Sequence, residues 1–355
     1  MVSWPKVCKI ILIVGASGII GRALVRSLGS HEDLKLIAAS RRPETDLPTN
    51  TVPLRIDLCD WEEGDTGLVN DVTHLVYCAY VDAQGWERQR EPNNVLFRNS
   101  LELVINNSPN LKHVVLMQGT KAYGAHLGPF KTPAKETDPR IAEGYFYDDQ
   151  FDVLSSEASR AGWSWTVLRP HVVIGPAFRS PLNLITVLGV YCSILKEQGR
   201  ALDFPGPEAA FNALYQATDA DLLSRAIYWS GTTPSAENEI FNITNGDYFR
   251  WRHVWPRIAA LFNMEVGVPE PQNLEVTMAD SSHVWQELSK KHDLVLDSLD
   301  EMVSWRFANY VFGTTWDVMS DSTKIRRYGF HELIDSEGML LSRLDELRNM
   351  KIIPA

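Results

Sequence analysis

Cysteine is scarce in this 355-residue sequence: the four, Cys8, Cys59, Cys78 and Cys192, are scattered and form no Cys-x-x-Cys pair. Such spacing excludes a disulfide-stapled scaffold and a thiolate metal site, and predicts free, buried thiols in a cytosolic protein. The nine histidines contain no His-x-x-x-His and have no cysteine at ligand spacing, so no metal is expected. No apolar run reaches membrane-spanning length; Leu184 to Leu195 is too short and contains Tyr191 and Ser193. The opening Met1-Val2-Ser3-Trp4-Pro5-Lys6 runs straight into a strand-like segment, which leaves no room for a signal peptide and predicts a cytoplasmic chain. Basic residues are outnumbered, 34 against 45, for a net charge of −11, which argues against a nucleic-acid or anionic-membrane surface. No internal repeat and no low-complexity linker is visible.

What remains is an ordinary soluble globular composition, with 45% hydrophobic and 22% charged residues and length for two or three domains. Its most informative stretch is Ile10-Ile11-Leu12-Ile13-Val14-Gly15-Ala16-Ser17-Gly18-Ile19-Ile20-Gly21. An apolar strand breaks into Gly-x-x-Gly-x-x-Gly and enters a helix. Gly15 serves the tight turn, Gly18 lets a phosphate approach the backbone, and Gly21 lets the helix lie close to the sheet. A pyrophosphate can then rest on the unpaired N–H groups of the helix N-terminus. A second strand-like run, Leu34 to Ser40, ends in Arg41-Arg42. An acidic residue at that place would take the ribose of NAD; arginine suits the 2′-phosphate of NADP(H).

Strand-like runs recur at 10–14, 34–40, 52–56, 73–78, 112–118 and 164–168, separated by helical stretches that include 19–29, 93–107 and 145–161. The alternation predicts an α/β Rossmann fold, a doubly wound parallel sheet with helices on both faces. We place this NADP(H)-binding domain at 1–180. Asp57, followed by Leu58 at the end of the third strand, has two open readings: a contact to the adenine amino group, or a cap for a helix beginning at Trp61-Glu62-Glu63. Beyond Gly175 prolines punctuate the chain and the pattern is mixed and aromatic-rich. Residues 181–355 are read as a smaller mixed α/β substrate-covering region, of which about 209–247 returns to the main sheet. Trp251 and Trp255, four residues apart on one helix face, are read as core. Phe178, Phe211, Tyr215, Trp305, Phe307 and Trp316 are candidate pocket walls, although such aromatics usually pack on each other. Phe312-Gly313-Thr314-Thr315-Trp316 is a candidate gate.

Short-chain dehydrogenases carry Tyr-x-x-x-Lys on one helix, which sets an ammonium one turn from a phenol. None of the eleven tyrosines here has lysine four residues later. A tyrosine at the start of the helix after the fifth strand still faces the cofactor, and Tyr145-Phe146-Tyr147-Asp148-Asp149 offers two. A lysine could come from the loop after that strand, where Met117-Gln118-Gly119-Thr120-Lys121-Ala122-Tyr123 supplies Lys121. The plain alternative is that Lys121 is a solvated loop charge and Tyr147 a packing residue.

With these residues in view, the chain resembles the progesterone 5β-reductase/iridoid synthase-like family of atypical extended short-chain dehydrogenases. Gly119-Thr120-Lys121-Ala122-Tyr123 and Gly128-Pro129-Phe130 resemble that family's lysine segment, with a short insertion between them. Tyr145-Phe146-Tyr147-Asp148-Asp149-Gln150-Phe151-Asp152 resembles its Asn-Phe-Tyr-Tyr-Asp segment. Arg169-Pro170, Asp219-Ala220-Asp221-Leu222, Asn238 to Asp247, Trp251-Arg252-His253 and Lys351-Ile352-Ile353-Pro354 extend the likeness over nearly the whole chain. The resemblance implies catalytic Tyr147 and Lys121. It implies cofactor contacts at Ser17, Gly18, Ile19, Arg41, Arg42, Asp57, Leu58, Ala79, Met117, Lys121, Tyr147, Val173, Ser180, Pro181 and Leu182, beside the fingerprint's Gly15 and Gly21. Departures from the family pattern are Ala79 for threonine, His171-Val172 for Gly-Asn, Ser180-Pro181-Leu182 for Ser-Met-Met, and Asp148 for the second tyrosine.

The implied reaction is NADPH-dependent 1,4-reduction of a small apolar enone or enal, with hydride to the β-carbon and the enolate oxygen held by Tyr147 and Lys121. The alternatives are 1,2-carbonyl reduction or alcohol oxidation by the same residues, and a non-catalytic NADP(H) sensor. A homodimer is implied by the resemblance alone.

Overall fold

The computed structural model describes residues 9–61 and 67–355. Cys8, the segment Met1 to Lys6 and a helix at Glu62-Glu63 therefore lie outside the described residues.

Seven parallel strands form one open sheet: β1 (Lys9–Val14), β2 (Leu34–Ser40), β3 (Thr51–Arg55), β4 (His74–Tyr77), β5 (His113–Met117), β6 (Ser164–Pro170) and, much later in the chain, the edge strand Glu239–Ile243. From edge to edge the order is β3-β2-β1-β4-β5-β6 and then Glu239–Ile243. Register is in step throughout, with Ile11 beside both Leu36 and His74, and Leu116 beside both Tyr77 and Val167. Pro53 costs little in β3, because that strand is the sheet edge. The order of connection reverses between β1 and β4, so the carboxyl ends of these two strands flank the crevice where ligands bind in this architecture.

The alternation of side chains sorts the sheet into two packed faces. Ile11 and Ile13 pack with Leu24 of helix α1 (Ile19–Leu28) and with Leu222 and Leu223 of the helix Ala220–Ser230. Leu12 and Val14 point the other way, onto Phe97 and Leu101 of α2 (Arg90–Asn107) and Leu154 of α3 (Phe146–Ala161). A third cluster belongs to the later part of the chain. Its centre is α4 (Leu184–Glu197), in which every residue from Leu184 to Leu195 is buried. The longest apolar run of the middle of the chain is thus a 14-residue core helix. No helix among the described residues is long and apolar enough to cross a membrane. Trp251 and Trp255 are 1% and 0% exposed in this cluster, as core residues are.

Two expectations need correction. Of the three described cysteines, Cys192 is buried and Cys78 partly so, but Cys59 is exposed, in the turn beyond β3. Phe312 is fully buried against Phe204, Trp251 and Trp255, so the proposed gate at 312–316 is anchored in the core at its first residue.

Candidate functional site

The glycine turn is built as its sequence requires. Gly15 has φ +90°, and a Cβ there would stand 2.8 Å from the Ala79 backbone, at the end of β4. A Cβ on Gly21 would stand 2.3 Å from the Gly15 carbonyl oxygen, so only glycine lets α1 start this close to the turn. Gly18 caps α1 without any side-chain hydrogen bond, and no acid occupies the first turn. The N–H groups at this end remain for an anion. Arg41 and Arg42 are exposed immediately past β2. Ser17 and Ile19 flank Gly18 at the turn, and Leu58 and Met117 are buried, one in the core on each face of the sheet. Asp57 accepts from the Cys59 N–H at 3.1 Å, closing a turn. Val173 lies on the short strand Val172–Ile174, whose neighbour is Ala217–Asp219. Pro181, between Ser180 and Leu182, has its carbonyl fixed by the Ser304 N–H at 3.0 Å.

On the other side of the crevice two segments converge. After β5 the chain turns through a single 3₁₀ turn, Thr120–Tyr123, which carries Lys121. Tyr145, extended, begins α3 and puts Tyr147 in its first turn. Gln118 ties the two together, its side-chain amide donating to the Tyr147 carbonyl at 2.7 Å. The Tyr147 hydroxyl lies 3.6 Å from where a Cβ on Gly119 would be. Lys121 and Tyr147 meet across one ring: the Lys121 Nζ is 5.7 Å from the Tyr145 centroid, and the Tyr147 ring is 4.9 Å from it, edge-on.

Lys121 sits in an aromatic recess. Its Nζ donates to the Tyr80 hydroxyl at 3.2 Å and lies 4.4 Å from the centroid of Trp86. Tyr80 and Tyr145 both donate to Gln89 Oε1 at 2.8 Å, and the buried Gln89 amide donates in turn to Asp82 and the Ala83 carbonyl. From the far end of the chain Arg306 pairs with Asp82 and donates to the Ala83 carbonyl, while Tyr310 donates to the Ala125 carbonyl. His126 fits between Trp86 and Tyr145.

Burial sets the electrostatics. It pulls the Lys121 ammonium down to about 8, with Asp82 opposing and Arg306 assisting. It raises the Tyr147 phenol well above the ordinary tyrosine range, against the attraction of Arg169. Arg169 itself is nearly buried; it donates to Gln118 Oε1 at 2.9 Å and lies 5.0 Å over the Tyr123 ring. His126 and His171 are held neutral by burial, at about 4 and about 3. His171, which stands where the family pattern has glycine, shares a 2.8 Å hydrogen bond with Ser320.

Sequence reasoning did not single out Tyr80, Trp86, Gln89 or Arg306. Tyr80 alone had a local signal, since it directly follows Ala79 at a strand's carboxyl end. Of the expected aromatic walls, Phe211, Trp305, Phe307 and Trp316 pack on the later core and Tyr215 is 8% exposed within it. Phe178 packs on the same core and also stands under Arg22, 4.5 Å from its guanidinium. No group of three or more His, Cys, Asp or Glu among the described residues could hold a metal.

An open parallel sheet with this order, and with the glycine turn at its carboxyl edge, defines a Rossmann-like doubly wound fold. Among solved structures the chain is similar to UDP-glucose 4-epimerase of Thermotoga maritima (TM-score 0.67, 15% identity, 96% of this chain and 99% of that one). It is also similar to the terminal R domain of the myxalamid biosynthetic pathway (TM-score 0.68, 18% identity, 98% and 92%). These likenesses concern the fold. Residues 64–354 match the PRISE-like Rossmann-fold domain, and the chain belongs to that family, as an oxidoreductase. It is 32% identical to (S)-8-oxocitronellyl enol synthase of Antirrhinum majus over 99% of this chain and 94% of that protein. It is 33% identical to 3-oxo-Delta(4,5)-steroid 5-beta-reductase of Arabidopsis thaliana over 98% and 93%.

Proposed function

We propose that the protein reduces an activated C=C bond in a small apolar enone or enal, with NADPH as the hydride source. The observation that carries this reading is the convergence of the Tyr147 phenol and the Lys121 ammonium on Tyr145, at the carboxyl edge of the sheet beside the crevice. The relatives are named for an enol synthase and a steroid 5-beta-reductase, both consistent with charge developing on a carbonyl oxygen.

The residues present fit a phosphorylated dinucleotide. The uncapped first turn of α1 and the backbone approach at Gly15 and Gly18 suit a pyrophosphate, and Arg41 and Arg42 suit a 2′-phosphate. When bound, NADPH supplies the hydride that adds to the β-carbon. Tyr147, kept protonated by burial, donates a hydrogen bond to the carbonyl oxygen as that oxygen gains enolate charge. A preorganised donor of this kind is worth roughly 3 kcal/mol in a water-poor site. Lys121 remains cationic at neutral pH and keeps the potential around that oxygen positive. Gln118 and Arg169 hold the start of α3, so that the phenol stays over Gly119. The α-carbon takes its proton from solvent.

The test is product identification after incubation of a panel of enones and enals with the protein and NADPH. A saturated ketone or aldehyde is expected. An allylic alcohol would place the chain among 1,2-carbonyl reductases, and no NADPH oxidation across the panel would leave a cofactor-sensing role.

A further inference from the structure

Arg22 directly follows Gly21 and lies in the first turn of α1, where a cation gains nothing from the helix dipole. Its side chain forms part of the wall of a cavity of about 490 Å³, together with Ser17 of the glycine turn, Ser40 at the end of β2, and Glu44. The cavity thus adjoins the corner between the phosphate-binding turn and the carboxyl end of β2, and Arg41 and Arg42 stand in the chain between two of its wall residues, Ser40 and Pro43. In this architecture the 2′ substituent of the adenosine ribose is recognised at the end of the second strand. The Arg22 side chain is 18% exposed, lies over the Phe178 ring, and forms an ion pair with Glu44, which is 30% exposed. Phe178 holds the guanidinium plane at the cavity wall, while the charge is balanced by a carboxylate on the loop that follows the two arginines.

We propose that Arg22 is a third cationic determinant of 2′-phosphate recognition and that Glu44 is the counter-ion it exchanges for that phosphate. The proposal rests on the NADP(H) reading above and names residues that reading does not use. A partly exposed ion pair is worth little, about 1 kcal/mol or less, because solvent competes for both partners. A phosphate dianion accepts two parallel N–H bonds from a guanidinium and carries more charge than a carboxylate, so the exchange is downhill. Glu44 then acts as a selectivity element. Facing a 2′-hydroxyl, the pair stays closed; facing a 2′-phosphate, the carboxylate is repelled by the same group that draws Arg22.

Isothermal titration of the full-length protein with 2′,5′-ADP and with 5′-AMP, which differ only in the 2′-phosphate, tests this without substrate or turnover. Wild type is expected to prefer 2′,5′-ADP. Arg22→Gln should weaken 2′,5′-ADP by about tenfold or more and leave 5′-AMP within about twofold, as loss of a charge-assisted contact predicts. Glu44→Gln should strengthen 2′,5′-ADP and leave 5′-AMP unchanged. An Arg22→Gln variant that melts like wild type and keeps the wild-type preference overturns the role of Arg22 while the NADP(H) reading stands. Equal weakening of both ligands overturns it too, since that is the signature of a structural residue. Weaker 2′,5′-ADP binding by Glu44→Gln overturns the exchange. If wild type itself does not distinguish the two ligands, the NADP(H) reading fails and this proposal with it.

Discussion

Replacing Lys121 by methionine should make the protein more stable and less active at once, and the stability gain should disappear at high pH. Burial lowers the ammonium from 10.5 to about 8. In the unfolded chain the lysine returns to its ordinary value of about 10.4. Between those values the unfolded state binds more protons than the folded one, so folding stability rises with pH across that window. Below about 8 the penalty is fully present. At about 1.4 kcal/mol per pH unit it amounts to roughly 3 kcal/mol. Against it stand the cation–π contact with Trp86 and the hydrogen bond to Tyr80, together worth about 1–2 kcal/mol, which methionine forfeits. The net gain expected for Lys121→Met at pH 7 is therefore about 1–2 kcal/mol. Urea unfolding of both proteins at pH 7 and at pH 10.5 measures it as a difference, in which all other titrating groups cancel. A variant less stable than wild type at pH 7, or a gap that does not change with pH, would falsify the account of Lys121 as a buried cation. The same titration governs activity. If the positive charge supports the enolate, kcat/KM for a substrate identified in the enone panel falls about tenfold per pH unit above pH 8 in wild type. In Lys121→Arg, which stays charged, that fall should be absent.

Tyr147→Phe should lower kcat by about 10²–10³ with little change in KM, because the lost hydrogen bond strengthens only as charge develops; steady-state kinetics with undiminished turnover would remove Tyr147 from the chemistry. Gly21→Ala forces a methyl group to within 2.3 Å of the Gly15 carbonyl and should abolish NADPH binding, read as loss of the nucleotide's fluorescence enhancement on titration. Arg343→Ala strands the Asp219 carboxylate, 2% exposed and bonded to that guanidinium at 2.6 and 2.9 Å, and should cost about 3 kcal/mol in a urea titration.

The sheet was legible because its signals are local. Each strand at 10–14, 34–40 and 164–168 carries its own short apolar run, and the glycine spacing before α1 dictates the turn that Gly15 and Gly21 make. No local pattern tells which strand the edge strand Glu239–Ile243 pairs with; β6 lies some seventy residues away. The segments that carry Lys121 and Tyr147 were legible in a weaker sense. Without Tyr-x-x-x-Lys, strand order offered residues 121 and 147 only as candidates for one edge of the sheet, and likeness to a family selected them. The recess around Lys121 was not legible. Asp82 and Arg306 are 224 residues apart, and their pairing depends on how a later helix folds back over the loops. Arg169 illustrates the difference between naming and understanding: it belonged to a matching motif, but its bond to Gln118, which in turn holds Tyr147, comes from the register of β5 and β6. Cys59, read as buried with the other thiols, sits in a polar turn where neighbouring sequence gave no periodicity.

The grip of Arg306 on Asp82 and Ala83, with Tyr310 reaching Ala125, makes the last fifth of the chain a structural parent of the lysine's surroundings. A chimera that imports a foreign C-terminal third would inherit Tyr147 and Lys121 intact and still lose the scaffolding that tunes the amine. Remodelling the helix Trp305–Phe312 therefore disturbs proton affinity at residue 121 in the same stroke. In this protein the shape of that helix and the charge state of the Lys121 amine are therefore one variable, set through Arg306 and Asp82.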